Sequence, residues 1–142
     1  MLEVYKNLTN LGYDVSFGEY NELKTKNVLL GDTQFSFATF WFIQNSFFAV
    51  DFTKTFESRK NAEDSFNSIK DRLSKKYAEY GLPVDGSDEV KYYFEGEETD
   101  LKVSMSKKQE SSEGGELFYT VGLYYVNSNL LDMYLKQVDD EL

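Results

Sequence analysis

The sequence contains no cysteine, no histidine and a single proline in 142 residues. Without thiols, disulfide frameworks, thiolate nucleophiles and cysteine-ligated metal sites are excluded from this chain. Without imidazole, so are the serine–histidine triad, histidine general-base catalysis and histidine-ligated zinc or iron. What remains to an enzyme is carboxylate, lysine or tyrosine chemistry, or an oxygen-ligated metal. No Gly-rich phosphate loop or dinucleotide fingerprint occurs. The expectation is a non-catalytic chain that needs no cofactor.

Long hydrophobic runs are also missing. The densest stretch, Phe35 to Phe52, is interrupted by Thr39, Gln44, Asn45, Ser46 and Asp51, so none approaches the roughly 20 apolar residues of a membrane span. Cations are scarce: 15 Lys and Arg stand against 25 Asp and Glu, a formal charge of −10. That balance disfavours binding to a phosphate backbone or to an anionic membrane surface. It favours solubility and steers a basic partner inward. Neither nucleic acid nor a membrane span is expected; another protein, a basic one in particular, suits the charge. The opening residues, Met1 to Lys6, lack the basic and apolar regions of a signal peptide. A periplasmic or secreted location is expected if a signal has been removed, and a cytoplasmic one otherwise.

Aromatics, by contrast, are abundant: 12 Phe, 11 Tyr and one Trp make up 17% of the chain. Such a composition opposes intrinsic disorder. The length suits one domain over residues 1–142, and folding would bury about two-thirds of the chain's surface, enough for a core without staples.

Periodicity divides the chain into helices and strands. Leu2, Tyr5, Leu8 and Leu11 recur every third residue, predicting a helix over 2–11 that Gly12 closes. Tyr13 to Tyr20 alternates as a strand or extended arm, and the polar run Asn21 to Asn27 reads as a turn or edge. Gly31-Asp32 marks a turn. From Phe35 to Ile43 and from Phe47 to Phe52, aromatic and β-branched residues predict two strands, joined as a hairpin at Gln44-Asn45-Ser46. Ala62, Phe66, Ile69, Leu73 and Tyr77 define an amphipathic helix over 61–80, with Ser58 or Asn61 as cap. Alternation resumes at Val90–Glu95, Leu101–Ser106 and Leu117–Tyr125, with a flexible loop at Gln109–Glu116. Leu131, Leu135, Val138 and Leu142 mark a last helix over 129–141. Strand runs separated by single helices indicate an α+β fold: an antiparallel sheet in two strand runs, about five to seven strands in all, packed by the three helices. The two halves echo each other without a residue-level self-match.

This pattern resembles small bacterial envelope-associated domains of the β-lactamase-inhibitor-like or BamE-like type. The resemblance lies in the opening helix ending Leu11-Gly12-Tyr13, the aromatic hairpin from Phe35 to Phe52, the helix ending Lys76-Tyr77-Ala78-Glu79-Tyr80-Gly81, and the strand Val121-Gly122-Leu123-Tyr124-Tyr125. It implies a non-enzymatic, protein-binding or assembly role in an envelope or secreted setting, and it transfers no functional residue.

Four features are candidates for function. In the hairpin, Trp41 shares parity with Phe35, Phe37 and Ile43 and is assigned to the core. Phe40 and Phe42, on the other parity, are then the candidates for a second, functional face. In the last strand, Val121 and Leu123 facing inward would take Tyr119 and Tyr125 with them and leave Phe118 and Tyr124 facing out. Phe40, Phe42, Phe118 and Tyr124 together form the candidate interaction surface, because aromatic rings dominate interface energetics. The acidic turns, Asp85, Asp88 and Glu89 and again Glu95, Glu97, Glu98 and Asp100, offer oxygen donors but lack the twelve-residue calcium-loop spacing; they read as solvated charge, and no metal site is expected. Asp51 is the lone charge in an apolar stretch, a general acid if buried, but more in keeping with an outward-facing residue near a strand end. The leading expectation is therefore a non-catalytic protein-binding domain. The alternatives are a carbohydrate or other small-ligand binder using an aromatic sheet face, and an acidic immunity-type protein.

Overall fold

The computed structural model describes residues 1–19, 21–30, 33–43, 46–86, 88–97, 99–109, 117–127 and 129. Helix α1 (Leu2–Asn10) leads into strands β1 (Val15–Phe17), β2 (Glu22–Leu30), β3 (Thr33–Ile43) and β4 (Ser46–Phe56). Helix α2 (Arg59–Lys76) follows, then β5 (Ala78–Glu79), β6 (Val84–Asp85), β7 (Glu89–Glu95), β8 (Thr99–Gln109) and β9 (Leu117–Asn127). The fold is α+β, and the nine strands of the described residues form one antiparallel sheet in the order β1-β2-β3-β4-β9-β8-β7-β5, with β6 also on β7. Two meanders, β1–β4 and β7–β9, thus dock their last strands side by side at the centre. The turns expected at Gly31-Asp32 and Gln44-Asn45, the loop at 110–116 and the terminal helix beyond residue 129 lie outside the described residues. No helix among the described residues is long and apolar enough to cross a membrane.

Three boundaries differ from the sequence reading. The stretch 22–27 is strand, not turn, because Leu23 and Thr25 are buried between exposed Lys24 and Lys26, an alternation that the lysines disguise. The strand count reaches nine because that stretch and the two-residue β5 and β6 also join the ladder. Helix α2 stops at Lys76 instead of running to residue 80. Tyr77 is extended (φ −130°, ψ 151°), and Ala78 and Glu79 pair with Glu95 and Phe94 instead, so the edge of β7 offers these residues backbone partners that a further helical turn would forfeit. The start of α2 is capped by Ser58, whose Oγ accepts from the Asn61 N–H at 3.3 Å.

Register builds the core. The row Thr25–Ala38–Phe52–Leu123–Val103–Tyr92 crosses six strands, and the parallel row Leu23–Phe40–Val50–Tyr125–Leu101–Phe94 lies beside it. On these rows α2 lays Ala62, Phe66, Ile69 and Leu73, giving one buried cluster with Val121, Val103 and Phe94. The helix sits over β4, β9, β8 and β7. Two irregularities keep large rings on this side. Phe48 is the extra residue where the β3–β4 register shifts at Trp41/Phe42, so Phe47 joins Phe40 and Phe42 (ring centroids 6.0 and 5.9 Å) although it differs in parity from Val50 and Phe52. Asn27 adopts a left-handed φ of 53° and is missing from the β2–β3 ladder. Around it the buried set changes parity, from Leu23 and Thr25 to Val28 in β2, and from Ala38 to Phe35 in β3.

Candidate functional site

Positions between the two core rows project from the opposite face, and among the described residues neither helix packs over it. Its central row is Lys24–Thr39–Asp51–Tyr124–Lys102–Tyr93. One flanking row is Glu22–Trp41–Ala49–Val126–Asp100–Glu95, and the other is Lys26–Phe37–Thr53–Gly122–Ser104–Lys91. At about 4.8 Å per strand and 3.4 Å per residue, six strands of which four are eleven residues long present a face of roughly 24 by 37 Å, or 900 Å². A partner of ordinary size covers about 800 Å² per side.

Within that face the side chains are held in place by one another. The Trp41 Nε1–H donates to Glu22 Oε1 at 2.9 Å, and its ring meets Tyr124 edge-on at 6.4 Å and 69°. Lys102 places its ammonium 5.3 Å from the centre of the Tyr124 ring, a cation–π contact. Asp51 stands directly across from Tyr124. Burial raises the Asp51 carboxyl above the usual aspartate value, and the Lys102 charge opposes that rise. Burial, with Asp51 as a neighbour, likewise raises the Tyr124 phenol. Gly122 lets the neighbouring strand's side chains close in beside this group: a Cβ there would lie 3.0 Å from Ser104 Oγ and 3.9 Å from Asp51 Oδ1. At one end of the same face Ile43, Phe48, Ala49 and Val126 form a small second core against which Trp41 and Tyr124 pack.

The four residues singled out from sequence do not form one surface. Tyr124 sits in the central row and Phe118 shares its strand parity, both half-buried on the open face. Phe40 and Phe42 belong to the opposite side: Phe40 packs against the main core and Phe42 is only 1% exposed. Trp41, assigned to the core, is half-buried on the open face, and Phe37 is 51% exposed there. The assignment inverts because Phe35, used as its anchor, lies beyond the parity change. Asp51, Lys102, Thr39 and Gly122 complete the site. The alternation of each strand was readable, but nothing local announces that β4 and β9 are neighbours.

In the acidic turns, Glu89 pairs with Lys91 at 3.0 Å, Asp85 is in β6, and Glu98 lies outside the described residues. Among the described residues no three acidic side chains gather where a cation would be held. Comparison with family models, with curated proteins and with solved structures finds no match to this chain.

Proposed function

We propose that this chain is a non-catalytic protein-binding domain that engages its partner through the open face of the sheet. The observation that carries this reading is the row Thr39–Asp51–Tyr124–Lys102 with Trp41 beside it: rigid rings and a buried-edge charge pair on strands, in place before any partner arrives. Aromatic anchors held by their neighbours bind with little loss of side-chain freedom. The surrounding threonines, serines and lysines form the polar rim that interfaces need. The charge of −10 favours a basic partner and faster encounter at low salt. The resemblance to β-lactamase-inhibitor-like domains points the same way.

Site-specific photo-cross-linking tests it. With benzoylphenylalanine at Thr53 on the open face, and separately at Lys60 on the outer side of α2, a lysate of the source organism should yield one protein cross-linked from Thr53 and not from Lys60. Trp41→Ser and Tyr124→Ser should each reduce that adduct at least tenfold. Equal labelling from both positions, or an adduct indifferent to both substitutions, would exclude the open face as the interface.

A further inference from the structure

Asp51 holds the middle of the open face, between Thr39 on β3 and Tyr124 on β9. It is half-buried, and burial raises its carboxyl more than the Lys102 charge lowers it. Among the described residues no donor hydrogen-bonds to that carboxylate. The two lysines of its row are engaged elsewhere, Lys24 with Glu22 at 3.8 Å and Lys102 over the Tyr124 ring. The Trp41 indole N–H is taken by Glu22 as well. A carboxylate drawn partly out of water and short of donors is costly to cover. A partner seated on this face therefore gains by bringing it a cation.

Register selects the kind of cation. Trp41 stands opposite Ala49, so it is the diagonal neighbour of Asp51, at the roughly 7–8 Å between diagonal positions on one sheet face. Thr39 and Ala49, the other two corners of that square, are small. A guanidinium is planar and weakly hydrated, and it donates in a fork that matches a carboxylate, so it can pair with Asp51 and lie against a ring at once. An ammonium offers neither the fork nor the flat face. We propose that Asp51, with Trp41 and Tyr124 beside it, is the seat for an arginine side chain presented by a basic protein partner. The seat rests on the open-face reading and names the chemistry at its centre.

Two measurements test it. Carboxyl and indole NMR of the full chain follow titration with N-acetylarginine methylamide and, separately, with N-acetyllysine methylamide. The arginine amide should shift the Asp51 carboxyl and the Trp41 indole saturably, and the lysine amide should bind at least about fivefold more weakly. Asp51→Asn, which keeps the side chain's shape, should remove the indole response. In the cross-linking experiment, Asp51→Asn should cut the Thr53 adduct at least tenfold. The partner segment joined to Thr53 should contain an arginine whose replacement by lysine weakens the complex at least tenfold. The proposal is overturned if the arginine amide moves Asp51 no more than the exposed Glu57, if the lysine amide binds equally well, if Asp51→Asn leaves the adduct intact, or if the joined segment holds no arginine. An adduct lost in Trp41→Ser but kept in Asp51→Asn would retain the open face and discard the arginine seat. Selective binding of the arginine amide with no adduct from Thr53 would retain the seat and discard the face as a protein interface.

Discussion

Phe35 and Phe37 lie two residues apart on β3 and would face the same side of an unbroken strand. The structure separates them: Phe35 is 1% exposed and 5.3 Å from the Phe52 ring, whereas Phe37 is 51% exposed. Replacing each by alanine measures the parity change directly. A buried Phe→Ala substitution removes about 3–5 kcal/mol. Phe35 borders a cleft beside the end of α2, so its surroundings can relax and the lower end, about 3 kcal/mol, applies. Unfolding entropy of about 2.1 cal/mol/K per residue over 142 residues gives roughly 0.3 kcal/mol/K. Phe35→Ala should then lower Tm by about 10 °C, and Phe37→Ala, losing only half-solvated contact, by no more than about 3 °C. Thermal and urea unfolding of the two variants provide the comparison. Equal losses would mean that β3 runs without a parity change and that the assignment of rings to faces is wrong.

Three further substitutions probe local features. Ser58→Ala removes the acceptor that caps α2 and should lower stability by about 1 kcal/mol, or about 3 °C in Tm. Thr25 is 2% exposed and its Oγ1 has no hydrogen-bond partner; Thr25→Val keeps the shape, removes an unsatisfied hydroxyl and should stabilise by about 1–3 kcal/mol in urea unfolding. Asp51 has a folded pKa raised chiefly by burial, so the folded state holds the proton more tightly than the unfolded state. Its contribution to stability is therefore lost as pH rises through the window from 3.8 up to that raised value. Asp51→Asn should unfold at higher urea than the parent at pH 7, and the advantage should shrink as pH falls through that window towards 3.8; an advantage that grows on acidification would contradict the burial.

Much of the architecture was legible in local pattern. The alternation of Leu117 to Tyr125, the four-three-four spacing of Ala62, Phe66, Ile69 and Leu73 in α2 and the aromatic pair β3–β4 each follow from side-chain periodicity alone. The open face was not legible, for three physical reasons. The β4–β9 pairing joins residues about seventy positions apart, and register between distant strands leaves no mark in either one. A bulge at Phe48 and a left-handed Asn27 shift parity within otherwise regular strands, and parity alone had put Trp41 inside and Phe42 outside. Lys24 and Lys26 made β2 look like a loop, although a strand with one solvated side carries such residues as a matter of course. The misplacement of Trp41 and the omission of Lys102 share one cause: a sheet face is a property of several strands together.

Trp41 is the single tryptophan of the chain, so its fluorescence reports on the open face with no competing signal. In the free protein, acrylamide should quench Trp41 partly, at a rate between that of a buried indole and that of free tryptophan. Saturation with the cross-linked partner should blue-shift the emission and abolish most of the quenching. A Trp41 already shielded in the free chain, or one equally accessible with the partner bound, would contradict the account.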